Sequence, residues 1–256
     1  MCTIKMNFYS EVLKGDTNVN VILPTLDYSK APFKTVYLLH GGDGSADDWL
    51  NCSSAAETAI DNGIALVLPE VGGESFYCDM NEGPDYFTYI SEELVSKMEQ
   101  MFPLSHKKED RFVAGLSMGG YGASTWGLRK PDMFQAIGNF SGASDIVKLF
   151  GTPGGPFSEE ELKAQVNRIW GGIDKLKDSE YDTIHMLKVA GSNPEGYPEI
   201  FVGVGKDDFV YSAVMDYMDA AEKYGVRVHY EDMSGGHEWK VWDEMFKRFI
   251  TRYFKQ

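Results

Sequence analysis

The sequence predicts an α/β fold in which a mainly parallel central sheet carries helices on both faces. Three observations lead to this prediction: short apolar runs recur along the chain, helical patterns separate them, and Gly, Pro or polar residues end the runs. The 256 residues fit one such unit, because open α/β sheets often absorb this length into a single domain. We therefore expect one domain over residues 1–256.

A hairpin is predicted at the start of the sheet. Residues 7–13 and 18–23 alternate or run apolar on either side of the turn residues Gly15 and Asp16. After Pro32 the pattern changes to short, mostly apolar runs, which suit strands buried on both faces. These runs cover residues 35–39, 64–68, 112–115, 136–140, 200–204 and 226–231.

Helical patterns lie between the predicted strands. The clearest is an apolar stripe that ends before Pro103 and consists of Phe87, Ile90, Leu94, Val95, Met98 and Met101. Further helices are predicted over residues 117–129, 158–170, 211–224 and 238–254. Sheets of this kind bind ligands at the carboxyl ends of their strands, so candidate functional residues are sought there.

Composition and charge disfavour several classes of partner. The formal net charge of -15 leaves no basic patch for nucleic acid or an anionic membrane. No apolar run approaches membrane-spanning length, and the first residues do not match a signal peptide. Cys2, Cys52 and Cys78 are odd in number and lack metal-ligand spacing. We expect a cytoplasmic protein without nucleic-acid or membrane partners, and the oligomeric state stays open, with a homo-oligomer as one outcome.

Residues 115–119, GLSMG, match the nucleophile-elbow pattern, in which a strand turns sharply into a helix and presents a serine. Ser117 stands at the centre, after the strand pattern of residues 112–115 and before a helical pattern. A serine that merely caps a helix in a glycine-rich turn is the alternative reading. The placement between strand and helix favours the elbow, and so predicts an α/β-hydrolase fold with Ser117 as nucleophile.

The general base is sought late in the chain, because this fold supplies its triad in the order serine, acid, histidine. Of the five histidines, His229 and His237 meet that condition. His229 lies inside the strand pattern of residues 226–231, where a structural role is favoured. His237 follows in a loop whose glycines, Gly235 and Gly236, allow an unusual backbone path toward the serine.

The acid is expected just past the strand that precedes the histidine. GKDDF at residues 205–209 places both Asp207 and Asp208 there. Adjacent residues at a strand end point in different directions, so only one of the two reaches the histidine. Physical reasoning from the residues does not separate them, and Asp145, after residues 136–140, is a weaker third candidate.

Donors for a tetrahedral oxyanion come from two backbone positions in this fold. Met118, which follows the nucleophile, is the first candidate. The second lies in HGGDG at residues 40–44, with Gly42 preferred and Gly41 as its alternative. His40 of the same loop is expected to be structural.

The substrate-binding candidates are Gly41, Trp49 and Trp239, which lie close in sequence to the predicted catalytic loops. Packing in the core is the alternative for the tryptophans, and Trp242 shares both readings.

A metal site is not expected. Asp43, Asp47 and Asp48 are close enough in sequence to suggest calcium, but the glycine and the terminal glutamate of a calcium-binding loop are not at the required offsets.

Residues 147–198 break the alternation of strands and helices. Gly and Pro are frequent between Gly151 and Pro156, a helical segment follows, and more turn residues occur near Asn193. In a hydrolase this position predicts a small cap insertion that shapes the substrate pocket. A helical excursion that only covers the core explains the pattern equally well.

Four strings carry a family resemblance: LLHGGDGSADDW at residues 38–49, GLSMGGYGA at 115–123, GKDDFVY at 205–211 and GGHEWKVWD at 235–243. They resemble the esterase D-like hydrolases, and most closely the bacterial tributyrin esterase branch, which includes intracellular feruloyl esterases. The opening FYSEVLKGDTNVNVILP is similar to that branch too, so the resemblance covers essentially the whole chain.

The resemblance implies hydrolysis of short-chain acyl or hydroxycinnamoyl esters, carbohydrate-linked ones included, through an acyl-enzyme and without a cofactor. In this family the catalytic acid directly precedes the phenylalanine of the GKDDF-like turn, which implies Asp208. S-formylglutathione hydrolases belong to the same wider family, but they typically have a histidine where this chain has Leu116. They also have an extra residue in the acidic turn before the position of Phe209.

Three other functions are compatible with the sequence. Hydrolysis of S-formylglutathione and acyl transfer to a sugar or thiol acceptor would both use the same fold and triad. A catalytically silent hydrolase fold that serves as a binding module is the third, and a complete triad with both oxyanion elements argues against it.

Overall fold

Eight strands form one sheet in the computed structural model, which describes residues 2–151 and 158–254. Across the sheet the strands follow the order β1-β2-β4-β3-β5-β6-β7-β8. The pairs β1–β2 and β2–β4 are antiparallel, and all other neighbours are parallel, which confirms the predicted mainly parallel sheet. In chain order the strands are β1 (Cys2–Ser10), β2 (Gly15–Leu23), β3 (Thr35–Leu39), β4 (Ala65–Pro69), β5 (Arg111–Leu116), β6 (Ala136–Phe140), β7 (Glu199–Gly205) and β8 (Val228–Met233).

Helices cover both faces of the sheet. One face packs against α1 (Asp48–Cys52), α2 (Ala55–Asp61) and the last helix of the chain. The other face packs against the helices over residues 95–101, 118–129, 183–190 and 211–224, so each face of the sheet has its own buried core. The further elements are α3 (Tyr86–Thr88), a π-helical segment (Tyr89–Leu94), α4 (Val95–Met101), α5 (Met118–Arg129), α6 (Ile146–Gly151), α7 (Glu159–Trp170), α8 (Ile173–Leu176), α9 (Thr183–Ala190), α10 (Tyr211–Tyr224), α11 (Trp239–Tyr253) and 3-10 turns at Tyr28–Lys30, Lys108–Asp110 and Pro194–Gly196. No helix among the described residues has the length and apolar character needed to cross a membrane.

The elements largely follow the sequence predictions, and the differences lie at the edges of the sheet and at the end of α4. β1 runs from Cys2 to Ser10 rather than over residues 7–13, and its alternation of half-buried and exposed residues begins at Cys2. β8 was expected to be buried on both faces, yet all six of its residues are only half-buried because it pairs with β7 alone. Met101, assigned to the buried stripe, is 60% exposed at the last turn of α4.

The described part of the stretch 147–198 divides into two packing environments; residues 152–157 lie outside the described part. α6, α7 and α8 pack on a separate small core that includes Cys78 and Tyr121. The last carbonyls of α7 accept the Asn81 and Glu82 N–H groups, at 2.8 and 2.9 Å. α9 instead packs against α5 and α10 and belongs to the helical layer on the sheet.

Candidate active site

Ser117 occupies a sharp turn between β5 and α5. Its backbone has φ 52° and ψ -118°, a conformation that L-residues rarely adopt and that indicates local strain. The turn requires glycine at position 119, because a Cβ there would lie 2.6 Å from the carbonyl oxygens of both Leu39 and His40. Local sequence and close packing together force the Ser117 side chain out at the carboxyl end of the sheet.

Three side chains from distant parts of the chain meet at this turn. The His237 Nε2 atom lies 2.8 Å from Ser117 Oγ, and His237 Nδ1 lies 3.0 Å from both carboxylate oxygens of Asp208. A carboxylate only accepts hydrogen bonds, so Nδ1 carries the proton and Nε2 is left to accept from the serine hydroxyl. This is the arrangement that makes a serine nucleophilic.

Hydrogen bonds between two loops bring Asp208 and His237 together. The Lys206 N–H donates to Met233 O at 2.9 Å, and the Asp207 N–H donates to Gly235 O at 3.0 Å. Gly235 has φ 138°, which a residue with a side chain would adopt only at a cost. The turn after β7 and the loop after β8 are therefore held as one unit.

Asp208 is an ionised, buried acceptor. Burial alone would raise its pKa, but hydrogen bonds from His237 and the Val210 N–H, together with the charge of His237, outweigh burial, and the net pKa lies below the ordinary value of an aspartate. The Val210 N–H lies 3.0 Å from Asp208 Oδ1. The carboxylate can thus hold the imidazole in one tautomer and stabilise it when it becomes charged.

The other two acid candidates lie elsewhere. Asp207 is exposed to solvent, and its side chain makes no hydrogen bond to His237. Asp145 accepts the Lys148 N–H at 2.9 Å, and burial raises its pKa. The residue that contacts His237 is Asp208, as the family resemblance implied.

The loop after β3 lies against the nucleophile. A Cβ on Gly41 would be 3.5 Å from that of Ser117, and Gly42 follows as an exposed residue. The His40 Nδ1–H donates to Gly41 O at 2.8 Å, and His40 Nε2 accepts the Val71 N–H at 3.2 Å. Burial lowers the pKa of His40, so the ring is a neutral brace for the loop, which is the structural role expected of it.

Met118 is the first residue of α5, and its N–H belongs to the turn whose donors have no partner inside the helix. The positive end of the helix dipole lies at the same point. Gly41 and Met118 therefore border Ser117 from two elements, and Gly42 follows Gly41 in the same loop.

Trp49 is not placed to bind substrate, so its prediction as a substrate-binding residue is wrong. The indole is fully buried on the α1 side of the sheet, where its Nε1–H donates to Leu39 O at 2.9 Å. Trp239 is half-buried and packs edge-on against Trp49 and Trp242, with ring centroids 5.3 Å apart in both pairs. A short helix after a buried strand turned Trp49 inward, which sequence proximity could not reveal.

Replacing Trp49 with phenylalanine should therefore affect stability rather than substrate binding. We expect the free energy of unfolding to fall by about 1–3 kcal/mol, because a cavity opens and the Leu39 carbonyl loses its donor. Urea unfolding measures this loss, and KM for p-nitrophenyl acetate is the companion measurement. A KM several times higher with unchanged stability would return Trp49 to the substrate pocket.

Two aromatic residues at the site were not predicted as contacts of the histidine. The Phe209 ring lies 4.5 Å from the His237 ring, and the Trp242 ring lies 4.9 Å away on an edge-to-face contact. Phe209 is adjacent in sequence to Asp208, and Trp242 is on the first turns of α11 after His237. The closeness of both residues to the triad in sequence could have indicated that they lie at the site. Their contacts with His237, however, depend on the paths of the turn after β7 and the loop after β8.

The described residues contain no group of three or more His, Cys, Asp or Glu side chains arranged to hold a metal ion. Of the aspartates considered for calcium, Asp47 pairs with Lys5 at 2.6 Å, and Asp48 accepts the Ser45 hydroxyl at 2.8 Å.

Comparisons with known proteins show the family of the chain. The family model described as "Putative esterase" matches residues 10–252. An acetyl esterase of Caldicellulosiruptor saccharolyticus is 32% identical over 253 residues, which is 95% of each chain.

Solved structures of serine hydrolases and esterases are also similar to this chain. The substrate-bound fluorophosphonate-binding serine hydrolase F of Staphylococcus aureus is 30% identical with a TM-score of 0.88, over 100% of this chain and 99% of that one. An S-formylglutathione hydrolase of the same organism is 30% identical with a TM-score of 0.86, over 99% of both chains. A ferulic acid esterase shares the fold at 23% identity, with a TM-score of 0.80 over 99% of this chain and 98% of that one.

Proposed function

We propose a catalytic triad for this chain, which belongs to the esterase family and is a carboxylic ester hydrolase. In the proposal, Ser117 is the nucleophile, His237 is the general base, and Asp208 is the acid that orients the histidine. The observation that carries the proposal is the continuous hydrogen-bonded series from Ser117 Oγ through both nitrogens of His237 to the buried Asp208 carboxylate.

In the acylation step, Ser117 Oγ attacks the ester carbonyl carbon while His237 Nε2 takes the hydroxyl proton. Asp208 stabilises the imidazolium that results. His237 then passes the proton to the oxygen of the leaving alcohol as its bond to the acyl carbon breaks. Water repeats the sequence on the acyl-enzyme, which releases the acid and restores the serine.

The N–H groups of Met118 and Gly42 are proposed as the oxyanion hole. The Met118 N–H is a free donor at a helix N-terminus beside Ser117, and the Gly42 loop is braced by His40. Donors fixed in this way are not reorganised when charge develops on the oxygen, which is why such sites accelerate acyl transfer.

The proposed substrates are short-chain acyl or hydroxycinnamoyl esters. A curated relative that is 32% identical is an acetyl esterase, which supports the short acyl group. An aromatic cluster of Phe76, Phe150 and Trp170, with ring centroids 5.2–5.5 Å apart, supports the aromatic acyl group. Phe76 also contacts Tyr121, one turn of α5 after Ser117, at 5.6 Å.

We propose that α6, α7 and α8 form the cap of the site, because they carry two members of this aromatic cluster and are attached to the body beside Asn81. The proposed cap is shorter than the predicted stretch 147–198, because α9 belongs to the helical layer on the sheet and is not part of the cap. A carbohydrate-linked alcohol, a homo-oligomeric state and a cytoplasmic location stay predictions from the sequence.

S-formylglutathione hydrolysis is the second candidate function, and it is favoured by one observation. A staphylococcal enzyme of that description is 30% identical to this chain over 99% of both chains. Leu116 before the nucleophile and the short acidic turn before Phe209 argue against it.

A panel of esters separates these functions. We expect the purified protein to hydrolyse p-nitrophenyl acetate and butyrate with a higher kcat/KM than the octanoate, and to accept methyl ferulate. A fluorophosphonate probe should label one site, and peptide mapping should locate it at Ser117. Preference for S-formylglutathione would select the second candidate, while labelling at another residue would contradict the assignment of the nucleophile.

A further inference from the structure

Phe209 presents an apolar ring to solvent directly beside the reacting atoms. It is 66% exposed, although its neighbours in the chain, Asp208 and Val210, are buried. Its ring centroid lies 4.5 Å from that of His237 at an interplanar angle of 50°, which is van der Waals contact. His237 thus contacts both a buried indole, that of Trp242, and an exposed phenyl ring.

The two aromatic neighbours of His237 have different consequences. Trp242 comes from α11 and is buried, so it supports the imidazole from inside. Phe209 contributes little to the core, since most of its surface stays in water. Single exposed aromatic residues are common on protein surfaces, but this one touches the group that transfers the proton.

The chemistry of the proposed function places the leaving alcohol near this ring. For His237 Nε2 to protonate the leaving oxygen, that oxygen must come within hydrogen-bond distance of Nε2. The rest of the alcohol then extends from a point next to the imidazole, and Phe209 is an exposed apolar surface in contact with that imidazole. In deacylation, water takes the position of the alcohol, so the ring then has no organic partner.

We propose that Phe209 is a binding surface for the leaving alcohol and favours alcohols that present a flat apolar face. An aromatic ring or the apolar face of a sugar ring would stack on the phenyl group, whereas a methyl group is too small to cover it. The inference rests on the proposed function, because it requires His237 to be the proton donor to the alcohol.

The test compares acetate esters that form the same acetyl-enzyme and differ only in the alcohol: methyl acetate, benzyl acetate and methyl 6-O-acetylglucoside. The variants are Phe209→Ala and Phe209→Tyr, with Tyr28→Ala as a matched control, because Tyr28 is an exposed aromatic residue in the turn Tyr28–Lys30. The readout is the ratio of kcat/KM for each larger ester to that for methyl acetate.

Phe209→Ala should lower the ratio for benzyl acetate by roughly three- to tenfold, the range expected for loss of one aromatic contact. Phe209→Tyr should keep the ratio within about twofold, and Tyr28→Ala should match the wild type. A fall for benzyl acetate alone identifies an aromatic alcohol, and a fall for the glucoside as well extends the class to sugars.

Two results would overturn the inference. If Phe209→Ala leaves both the ratio and kcat/KM for methyl acetate unchanged, the alcohol does not contact the ring. If the ratio is unchanged because kcat/KM falls equally for all three esters, Phe209 only positions His237. Both differ from failure of the proposed function, which would appear as absence of fluorophosphonate labelling at Ser117 in the wild-type protein.

Discussion

Ser117→Ala is expected to lower kcat for p-nitrophenyl butyrate by a factor on the order of 10⁴ to 10⁶ and to abolish labelling by the fluorophosphonate probe. In the proposed mechanism the hydroxyl oxygen of Ser117 bonds to the acyl carbon, and no other nucleophile among the described residues lies beside His237 Nε2. Residual turnover would come from the oxyanion donors and from binding alone. Burst kinetics and single-turnover rates measure the loss.

The same variant should remain folded. The Ser117 side chain does not cap α5, and its hydrogen bond runs to the partly exposed His237. We therefore expect the free energy of unfolding to change by less than about 1 kcal/mol. Ser192→Ala, at an exposed serine far along the chain, is the control for the substitution itself. Turnover near the wild-type rate in Ser117→Ala would remove Ser117 from the mechanism.

Asp208→Asn is expected to lower kcat/KM by about 10⁴-fold near neutral pH. An asparagine amide can donate to His237 Nδ1, which favours the tautomer with the proton on Nε2. That tautomer cannot accept the Ser117 proton, even though the geometry at 3.0 Å is preserved. Steady-state kinetics on p-nitrophenyl butyrate checks the size of the loss.

The matched control is Asp207→Asn, because it makes the same chemical change at the adjacent, exposed aspartate. We expect its kcat/KM to stay within about twofold of the wild type, since a solvated carboxylate contributes little to the site. Asp145→Asn should behave similarly. A large loss in Asp207→Asn with a small loss in Asp208→Asn would exchange the two assignments.

The lowered pKa of Asp208 predicts how the activity and stability of Asp208→Asn, relative to the wild type, depend on pH. Because the folded-state pKa lies below the ordinary value, the carboxylate is ionised throughout the neutral range, and the deficit of Asp208→Asn should stay constant there. The stability that the ionised group contributes is present above the unfolded-state pKa and is lost as the pH falls through the folded-state pKa. The free energies of unfolding of the wild type and Asp208→Asn, measured with urea, should therefore converge only at acidic pH. If the difference in unfolding free energy between the two proteins disappeared above neutral pH, this linkage would be contradicted.

Much of the fold was predictable because its signals are local. The runs at residues 35–39 and 136–140 coincide with β3 and β6, since a buried parallel strand is a short apolar run bounded by turn residues. The edges of the sheet were predicted less well. β1 and β8 each have one neighbour, so their burial depends on where the sheet ends rather than on their own composition.

The proposed nucleophile and the proposed base could also be predicted from the sequence. Ser117 stands in a strand-turn-helix motif whose sterics are encoded within five residues, and His237 follows from the order of the triad in this fold. The acid was different, because Asp207 and Asp208 are equivalent in composition and spacing. Their separation at that stage came from the family resemblance and not from a physical argument.

The sequence by itself therefore determined the features that a local pattern encodes. These are the buried strands, the sharp turn after β5 and the position of Ser117 in that turn. What only the tertiary structure decided is the direction of side chains on loops. The bonds of Lys206 and Asp207 to the loop after β8 turn Asp208 toward His237 and leave Phe209 in solvent, while α1 turns Trp49 into the core. The physical reason is that these directions are set by hydrogen bonds and packing between segments far apart in the chain, which no local pattern records.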